Sequence, residues 1–394
     1  MTTTHSQFKL NPRPIIELLK DLVKIPSINP SIEKGYDEEA IADYIARWFR
    51  KTKRFHVIEQ TVDKNRFNVI AILHGKGKGR SLMLNGHMDT VGTSYMTVNP
   101  FHPTIKHGQL YGRGSCDMKG ALAAMMSATL ALANLPEPLA GDVIFTGVVD
   151  EEHASKGTSK LVERFRPDAA IVGEPTDLDV AIAHKGYAWL EVETLGREAH
   201  GSVPERGIDA IEKMSKLVSR LETLRRQQGR RKHPLVGAAK IHTSTISGGT
   251  DWATVPGKCV LRIERRLIPG EGPEDALREL RQLIRETAKI DRDLTAQVRL
   301  VHYADSMDVS AKQAHVRLLL EEARNLTGKT RVIGVPYWTD AAIMVKARIP
   351  SCLFGPGDIR FAHGKNENVK IADVLTATRI YAATAQRYCN GLST

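Results

Sequence analysis

Leu82-Met-Leu-Asn-Gly-His87-Met-Asp89 is the stretch from which the fold can be worked out. Ser81 to Asn85 is a short apolar run closed by Asn-Gly, the pattern of a buried strand and its exit turn. His87 then falls just beyond the carboxyl end of that strand, where open α/β sheets hold their ligands. Asp89, two residues on, is spaced to accept a hydrogen bond from the second imidazole nitrogen. That contact fixes the tautomer of a metal-binding histidine. An isolated His-x-Asp decides little, so the reading depends on what the rest of the chain supplies.

Two more apolar runs end in the same kind of residue. Asp142 to Val149 reads as a strand and runs into Asp150-Glu151-Glu152. Ala169 to Gly173 reads as another and ends at Glu174-Pro175. Three adjacent carboxylates at a buried strand end cost free energy unless cations or protons balance them. Between these runs lies the glycine-rich loop Leu110-Tyr-Gly-Arg-Gly-Ser-Cys-Asp117-Met-Lys-Gly120, followed by an Ala-rich helix over 120–135. Asp117 therefore sits near a helix start. Late in the chain, His363-Gly-Lys-Asn-Glu367 follows the turn Gly355-Pro-Gly357.

The remaining elements frame these groups. Periodicity predicts helices over 14–24, 37–51, 316–325, 339–347 and 370–388, and strands over 55–59, 68–73 and 350–354. From Lys185 the pattern changes to strand, helix, strand, strand, helix, strand (187–195, 204–224, 240–246, 258–266, 273–289, 295–302). That is the order of a ferredoxin-like unit. The expected organisation is an α/β catalytic domain in two pieces, 1–184 and 305–394. Its sheet is mixed and mostly parallel, flanked by helices, and interrupted by an inserted α+β domain over 185–304.

Composition narrows the function classes. With 394 residues, 42% hydrophobic and 26% charged, the chain has the make-up of a water-soluble protein of two or three domains. No apolar run approaches the roughly 18 residues that span a bilayer. Met1 to Lys20 is polar and lacks the apolar centre of a signal peptide, so a cytoplasmic protein without a membrane partner is expected. The four cysteines, Cys116, Cys259, Cys352 and Cys389, form no CxxC pair, which argues against a disulfide framework and a thiolate zinc site. The net charge is +11, but its one dense basic run, Arg225 to Lys232, has no aromatic or helical reading motif beside it. A nucleic-acid partner is not expected; attraction of small anionic substrates is.

Taken together, His87, Asp117, Glu152, Glu174 and His363 make five ligands, which with one shared carboxylate suit two divalent ions. Imidazole and carboxylate donors favour zinc, with cobalt or manganese as alternatives. Two such ions roughly 3.5–4 Å apart bind and acidify a bridging water and polarise a carbonyl. Glu151, next to a ligand, is the natural general base.

At this point the chain resembles a known family. Gly86-His-Met-Asp89, Gly112-Arg-Gly-Ser-Cys-Asp-Met-Lys-Gly120, Asp150-Glu-Glu152, Gly173-Glu-Pro175 and the late His363 are similar to the motifs of the M20 metallopeptidases. That family includes acetylornithine deacetylase, succinyl-diaminopimelate desuccinylase, aminoacylase and glutamate carboxypeptidase. Ala199-His-Gly-Ser-x-Pro204 and Gly248-Gly to Val255-Pro256 resemble the signatures of its lid domain. The resemblance implies that His87, Asp117 and Glu174 hold one zinc and that Asp117, Glu152 and His363 hold the other. Asp89 would orient His87, and Glu151 would move the proton from water to the leaving amine. It also implies that the inserted domain pairs two subunits as a homodimer, and that His200 reaches the partner's site to stabilise the oxyanion. Arg266 would grip a substrate carboxylate, with Arg262 and Arg265 close enough to compete for that role. One departure stands out: Ala253 occupies a position where many members carry Asn. Neighbouring Trp252 is a candidate for an apolar acyl pocket or for packing. The function implied is hydrolysis of the amide of an N-acyl amino acid, with a dipeptidase or carboxypeptidase as the alternative. A non-catalytic binding protein of the same fold would be expected to lack the base or a ligand, and none is missing.

Overall fold

The computed structural model describes Phe8, Leu10 and residues 11–391; of the polar stretch Met1–Lys20, residues 1–7 and 9 lie outside it. The described chain forms two compact units. The first takes the chain up to Ile182, then Val309–Ile333 and residues from Thr339 onward; the second takes Ala183–Asp308 and Gly334–Trp338. The segment Gly334–Trp338 carries no sequence signal for its allegiance. Its presence in the second unit makes the chain pass between the units four times rather than twice.

The first unit is built on one mixed sheet. Its strands run in the order His56–Asp63, Arg66–Leu73, Val143–Val148, Leu82–His87, Ala169–Val172, Ser351–Leu353 and Val180–His184. The pairings around Leu82–His87 are parallel, as is that of Ser351–Leu353 with Ala169–Val172. The outer pairings are antiparallel. The parallel strands are buried along their whole length, as strands covered on both faces must be. Leu82–His87 therefore continues through His87, so the histidine ends the strand instead of following it. The fold is α/β, with helices packed on the sheet.

Small residues bring one helix hard against the sheet. Gly120–Ala133, the Ala-rich helix, is buried along almost its whole length. Gly86 and Gly173 mark the closest approach, since a Cβ at either would come within 3 Å of Met118 and Met125 side-chain carbons. Three short strands, Thr104–Lys106, Gln109–Tyr111 and Asn368–Lys370, form a separate antiparallel ribbon. Periodicity missed it because three-residue strands are shorter than any pattern they can display.

The second unit has its own core. Its four-stranded antiparallel sheet runs Lys240–Gly248, Lys258–Leu267, Gly186–Leu195, Thr295–Ala304, the strand order of a ferredoxin-like unit. Helices Ala210–Gln228 and Pro273–Ala288 bury Met214, Leu217, Leu221, Leu277 and Leu280 against Leu190, Val192, Leu261 and Ile263. The first helix starts later than the sequence suggests, after a short 3-10 turn at Pro204–Arg206, because Asp209 caps it by accepting from the N–H groups of Ile211 and Glu212. The dense basic run is partly the last turn of this helix and partly ion-paired: Arg231 bonds to Glu271 and Glu279.

One glycine of the first unit tests the packing around Glu151 and Glu152. Gly157 lies so close to the end of Val143–Val148 that a Cβ would stand 2.3 Å from the Val149 carbonyl oxygen and 2.6 Å from its nitrogen. Neither backbone atom can rotate away. Gly157→Ala is expected to lower unfolding stability by about 1–3 kcal/mol, measured by denaturant melts; unchanged stability would contradict this packing.

Candidate active site

Each strand end delivers one group. His87 closes Leu82–His87. Its Nδ1 faces the backbone carbonyl of Asp89 at 2.9 Å and so carries a proton, and its Nε2 lies 3.1 Å from Asp117 Oδ1. The Asp89 carboxylate stands farther from the ring, at 3.6 Å. Its oxygens instead accept from the backbone N–H groups of Glu151 at 3.1 Å and Glu152 at 3.0 Å. Asp89 thus orients His87 with its main chain and holds the neighbouring acidic turn with its side chain.

Asp117 is shared. Its second oxygen lies 3.3 Å from His363 Nε2, and the same nitrogen lies 2.9 Å from Glu152 Oε1. His363 has a φ of +57°, a left-handed conformation that histidine enters more readily than most residues. Two sets of donor atoms, from His87, Asp117 and Glu174 and from Asp117, Glu152 and His363, each lie within 4.8 Å of one another. The structure thus brings together all five groups that sequence spacing singled out.

What fixes Asp117 was not foreseen. Glu367, four residues after His363, is fully buried. It accepts from the backbone N–H groups of Gly114, Cys116 and Asp117, each at 3.0 Å, and from Arg113 Nη1 at 2.5 Å. One carboxylate therefore folds the glycine-rich loop around itself and ties it to the segment bearing His363. A lone Glu in a polar turn offers no periodic or spacing signal for this. Asp340 was missed likewise, since Thr-Asp at a helix start looks like a cap. The helix Ala341–Lys346 receives no side-chain bond from it. Asp340 Oδ2 accepts from Thr158 at 2.5 Å, and hydrogen bonding from Thr158 and Ser155 partly offsets the burial of this carboxyl.

The electrostatics ask for cations. Burial raises Glu151 well above the ordinary carboxyl range, with Glu174, Asp340 and Glu152 adding to it. Burial, together with Asp117, pushes Glu174 to about 8, and burial pushes Asp340 to about 6. Burial works against charge on Asp117 too, but the two imidazoles outweigh it and hold this carboxyl well below its usual range. Burial also opposes charge on His363, yet Asp117 and Glu152 push it up to about 11. Glu174 Oε1 is buried with no partner among the described residues. A donor set of two imidazoles and three carboxylates with an orphaned oxygen fits divalent metal, whose charge reverses this proton accounting.

The second unit holds the other sequence candidates. His200 is exposed on a two-residue ladder, opposite Thr254. Its Nδ1 accepts from the Ser202 N–H at 3.2 Å, so the proton sits on Nε2. Arg265 is excluded as a substrate-binding arginine, being wholly buried in bonds to Glu271 and Glu279. Arg262 pairs with Glu191. Arg266 is part-exposed, bonded to Glu264 at 2.5 Å and stacked 5.5 Å over Tyr187. Ala253 acts through its backbone, bonding Asp251 and Gly201. Trp252 is wholly exposed and fills no core position. All four cysteines are free and buried.

Residues 83–387 match the model of peptidase family M20/M25/M40. An acetylornithine deacetylase of Myxococcus xanthus is 34% identical over 82% of this chain and 84% of its own length. Among solved structures, the aminopeptidase PepT of Bacillus cereus superposes with a TM-score of 0.79 at 19% identity, covering 96% of this chain and 99% of that one. The YXEP protein of Bacillus subtilis, described as a dinuclear metal binding peptidase of the same family, superposes with a TM-score of 0.74 at 17% identity, over 95% and 97% of the two chains. The protein is a metal-dependent hydrolase acting on amide or peptide bonds. The chain belongs to peptidase family M20/M25/M40. No helix among the described residues is long and apolar enough to cross a membrane.

The buried charge predicts how the metal-free protein responds to pH. Glu174 binds its proton up to about 8 in the fold, against 4.5 ordinarily. The folded state therefore holds more protons than the unfolded chain between those values, and stability declines as pH rises through them. His363, protonated up to about 11, acts in the same direction above 6.5. Buried His184 and His315, both lowered to about 4, act the opposite way up to 6.5, so the melting temperature of chelator-treated protein should fall between about pH 6.5 and pH 8, and added zinc should remove the fall. A melting temperature that rises over that interval would contradict the assignment.

Proposed function

We propose that the protein is a dizinc deacylase that hydrolyses the amide of an N-acyl amino acid. The observation that carries this is the pair of three-residue donor sets sharing Asp117, with Glu151 beside them. The acetylornithine deacetylase relative supports the choice of substrate class. His87, Asp117 and Glu174 would hold one ion, and Asp117, Glu152 and His363 the other. Bound there, the ions would supply Lewis acidity toward a water and the scissile carbonyl; cobalt or manganese would serve as alternatives.

The chain's own residues do the rest. Asp89 fixes the His87 tautomer through its carbonyl and pins the Glu151–Glu152 backbone through its carboxylate. Glu151 takes a proton from the attacking water and returns it to the leaving amine. His200 presents a protonated Nε2, the donor an oxyanion requires. In this reading it acts on the site of a second subunit, in a homodimer formed by the inserted domain. Arg266, freed of competition from buried Arg265, would bind the substrate carboxylate.

Zinc content and turnover of a panel of N-acetyl and N-succinyl amino acids and dipeptides test the reading. Two zinc ions and N-acyl cleavage are expected; cleavage of dipeptides alone would replace it with a dipeptidase, and full activity without metal would refute the mechanism. Glu151→Gln should lower turnover at least ~10²-fold with both ions retained, and a variant that stays active would remove Glu151 as base. Mixed dimers of Glu151→Gln and His200→Ala subunits should recover part of wild-type activity. Absence of recovery, with hybrids confirmed by mass, would deny His200 its role across subunits.

A further inference from the structure

Behind the turn that carries Glu151 and Glu152 lies a buried array of polar groups that the reaction does not use directly. Asn29 Nδ2 donates to Asp89 Oδ2 at 2.8 Å and reaches Asp150 Oδ1 at 3.1 Å. Arg66 Nη2 donates to the same Asp150 oxygen at 2.9 Å and to Glu38 Oε1 at 2.5 Å, while its Nε donates to Glu38 Oε2 at 2.7 Å. Glu38 Oε1 also accepts from the Asp150 N–H at 3.3 Å. Asn29, Glu38, Asp89 and Asp150 have no exposed surface, and Arg66 has 6%. The Asn29 backbone is stitched to Thr90, its N–H donating to the Thr90 carbonyl at 2.9 Å. In the sequence, neither Asn29 nor Arg66 belongs to a motif.

This is a poor way to gain stability. Three carboxylates, one guanidinium and one amide are sealed from water, and a buried ion pair of this kind repays its desolvation only partly. Placement explains it better. Asp150 has a φ of +71°, a left-handed conformation that costs more than the extended or right-handed ones, and the bonds around it help to hold the turn it starts. Asp89 holds the two following N–H groups. Asn29 ties Asp89 to Asp150, and Arg66 ties Asp150 to Glu38. The turn is gripped at its first residue and at both residues that follow.

We propose that Asn29 and Arg66 are positioning residues for the hydrolytic centre, fixing the backbone from which Glu151 and Glu152 project. The proposal rests on the roles assigned above to Glu151 as base and Glu152 as ligand. Asn29→Asp keeps the shape but sets a third carboxylate between Asp89 and Asp150. Arg66→Met keeps the length and removes the charge, and Arg66→Lys restores the charge without the fork. Partners that orient metal ligands typically contribute 10–100-fold to affinity or activity. In the zinc-loaded enzyme, Asn29→Asp and Arg66→Met should each lower kcat about tenfold or more with KM little changed. One of the two zinc ions should be lost to a competing chelator at a correspondingly lower concentration. Arg66→Lys should recover part of both losses.

Leu319→Ala, which opens a cavity in the buried face of Ala314–Thr327, should lower the melting temperature while leaving kcat and zinc affinity unchanged. If Asn29→Asp and Arg66→Met behave like Leu319→Ala, losing melting temperature alone, the two residues are structural only and the proposal is overturned. If the wild-type enzyme cleaves nothing in the panel, the functional reading fails, and zinc competition still decides the placement because it needs no turnover.

Discussion

Buried negative charge is the constraint on which the first unit depends. Glu151, Glu152, Glu174, Asp117 and Asp340 crowd the ends of its central strands beside two histidines. Removing such groups from water is costly, and each additional carboxylate raises the cost of ionising its neighbours. The protein meets part of that cost with protons and with the His87 and His363 contacts to Asp117. The unpartnered Glu174 oxygen marks what remains unbalanced. Parallel strands suit this purpose, because they present several carboxyl ends side by side and bury the strands that carry them.

Holding those charges in place takes a second set of residues with no chemistry of their own. Glu367 organises the loop of Asp117 from across the chain, and Arg113 balances its charge. Asp89 does the same for the turn of Glu151 and Glu152, backed by Asn29, Asp150, Arg66 and Glu38. Small residues make room for this. The alanines of Gly120–Ala133 and the glycines at 86, 157 and 173 let helix, turn and sheet approach until no side chain fits between them. The second unit solves a different problem. An aliphatic core under two helices holds a sheet whose loops present His200 and Trp252 to solvent.

Legible in the sequence alone were the α/β class, the resemblance to the family and the five groups that the structure brings together as candidate metal ligands, with Glu151 next to one of them. Those are legible because a buried strand announces itself by a continuous apolar run, and a polar residue at its end stands out against that run. Most helices of both units were legible from apolar residues at helical spacing, with the largest shift of ends in Ala210–Gln228. Val180–His184 and Lys156–Arg164 were not: one is a five-residue strand and the other a nine-residue helix of weak apolar pattern, both too brief for periodicity to decide.

Tertiary structure alone decided what supports the site. Glu367 lies 250 residues from the Asp117 N–H it holds, and Asn29 lies 121 from Asp150. Such partners share no period, motif or spacing, because a hydrogen bond between distant segments constrains only the final geometry and leaves no trace in the local pattern. The same holds for Arg265 and Arg266. They are adjacent and identical in type, and strand alternation seals one among Glu271 and Glu279 while leaving the other part-exposed. Local sequence fixes which residues carry chemistry, since chemistry depends on residue type. Packing fixes which of them can act, since access and charge depend on what surrounds them.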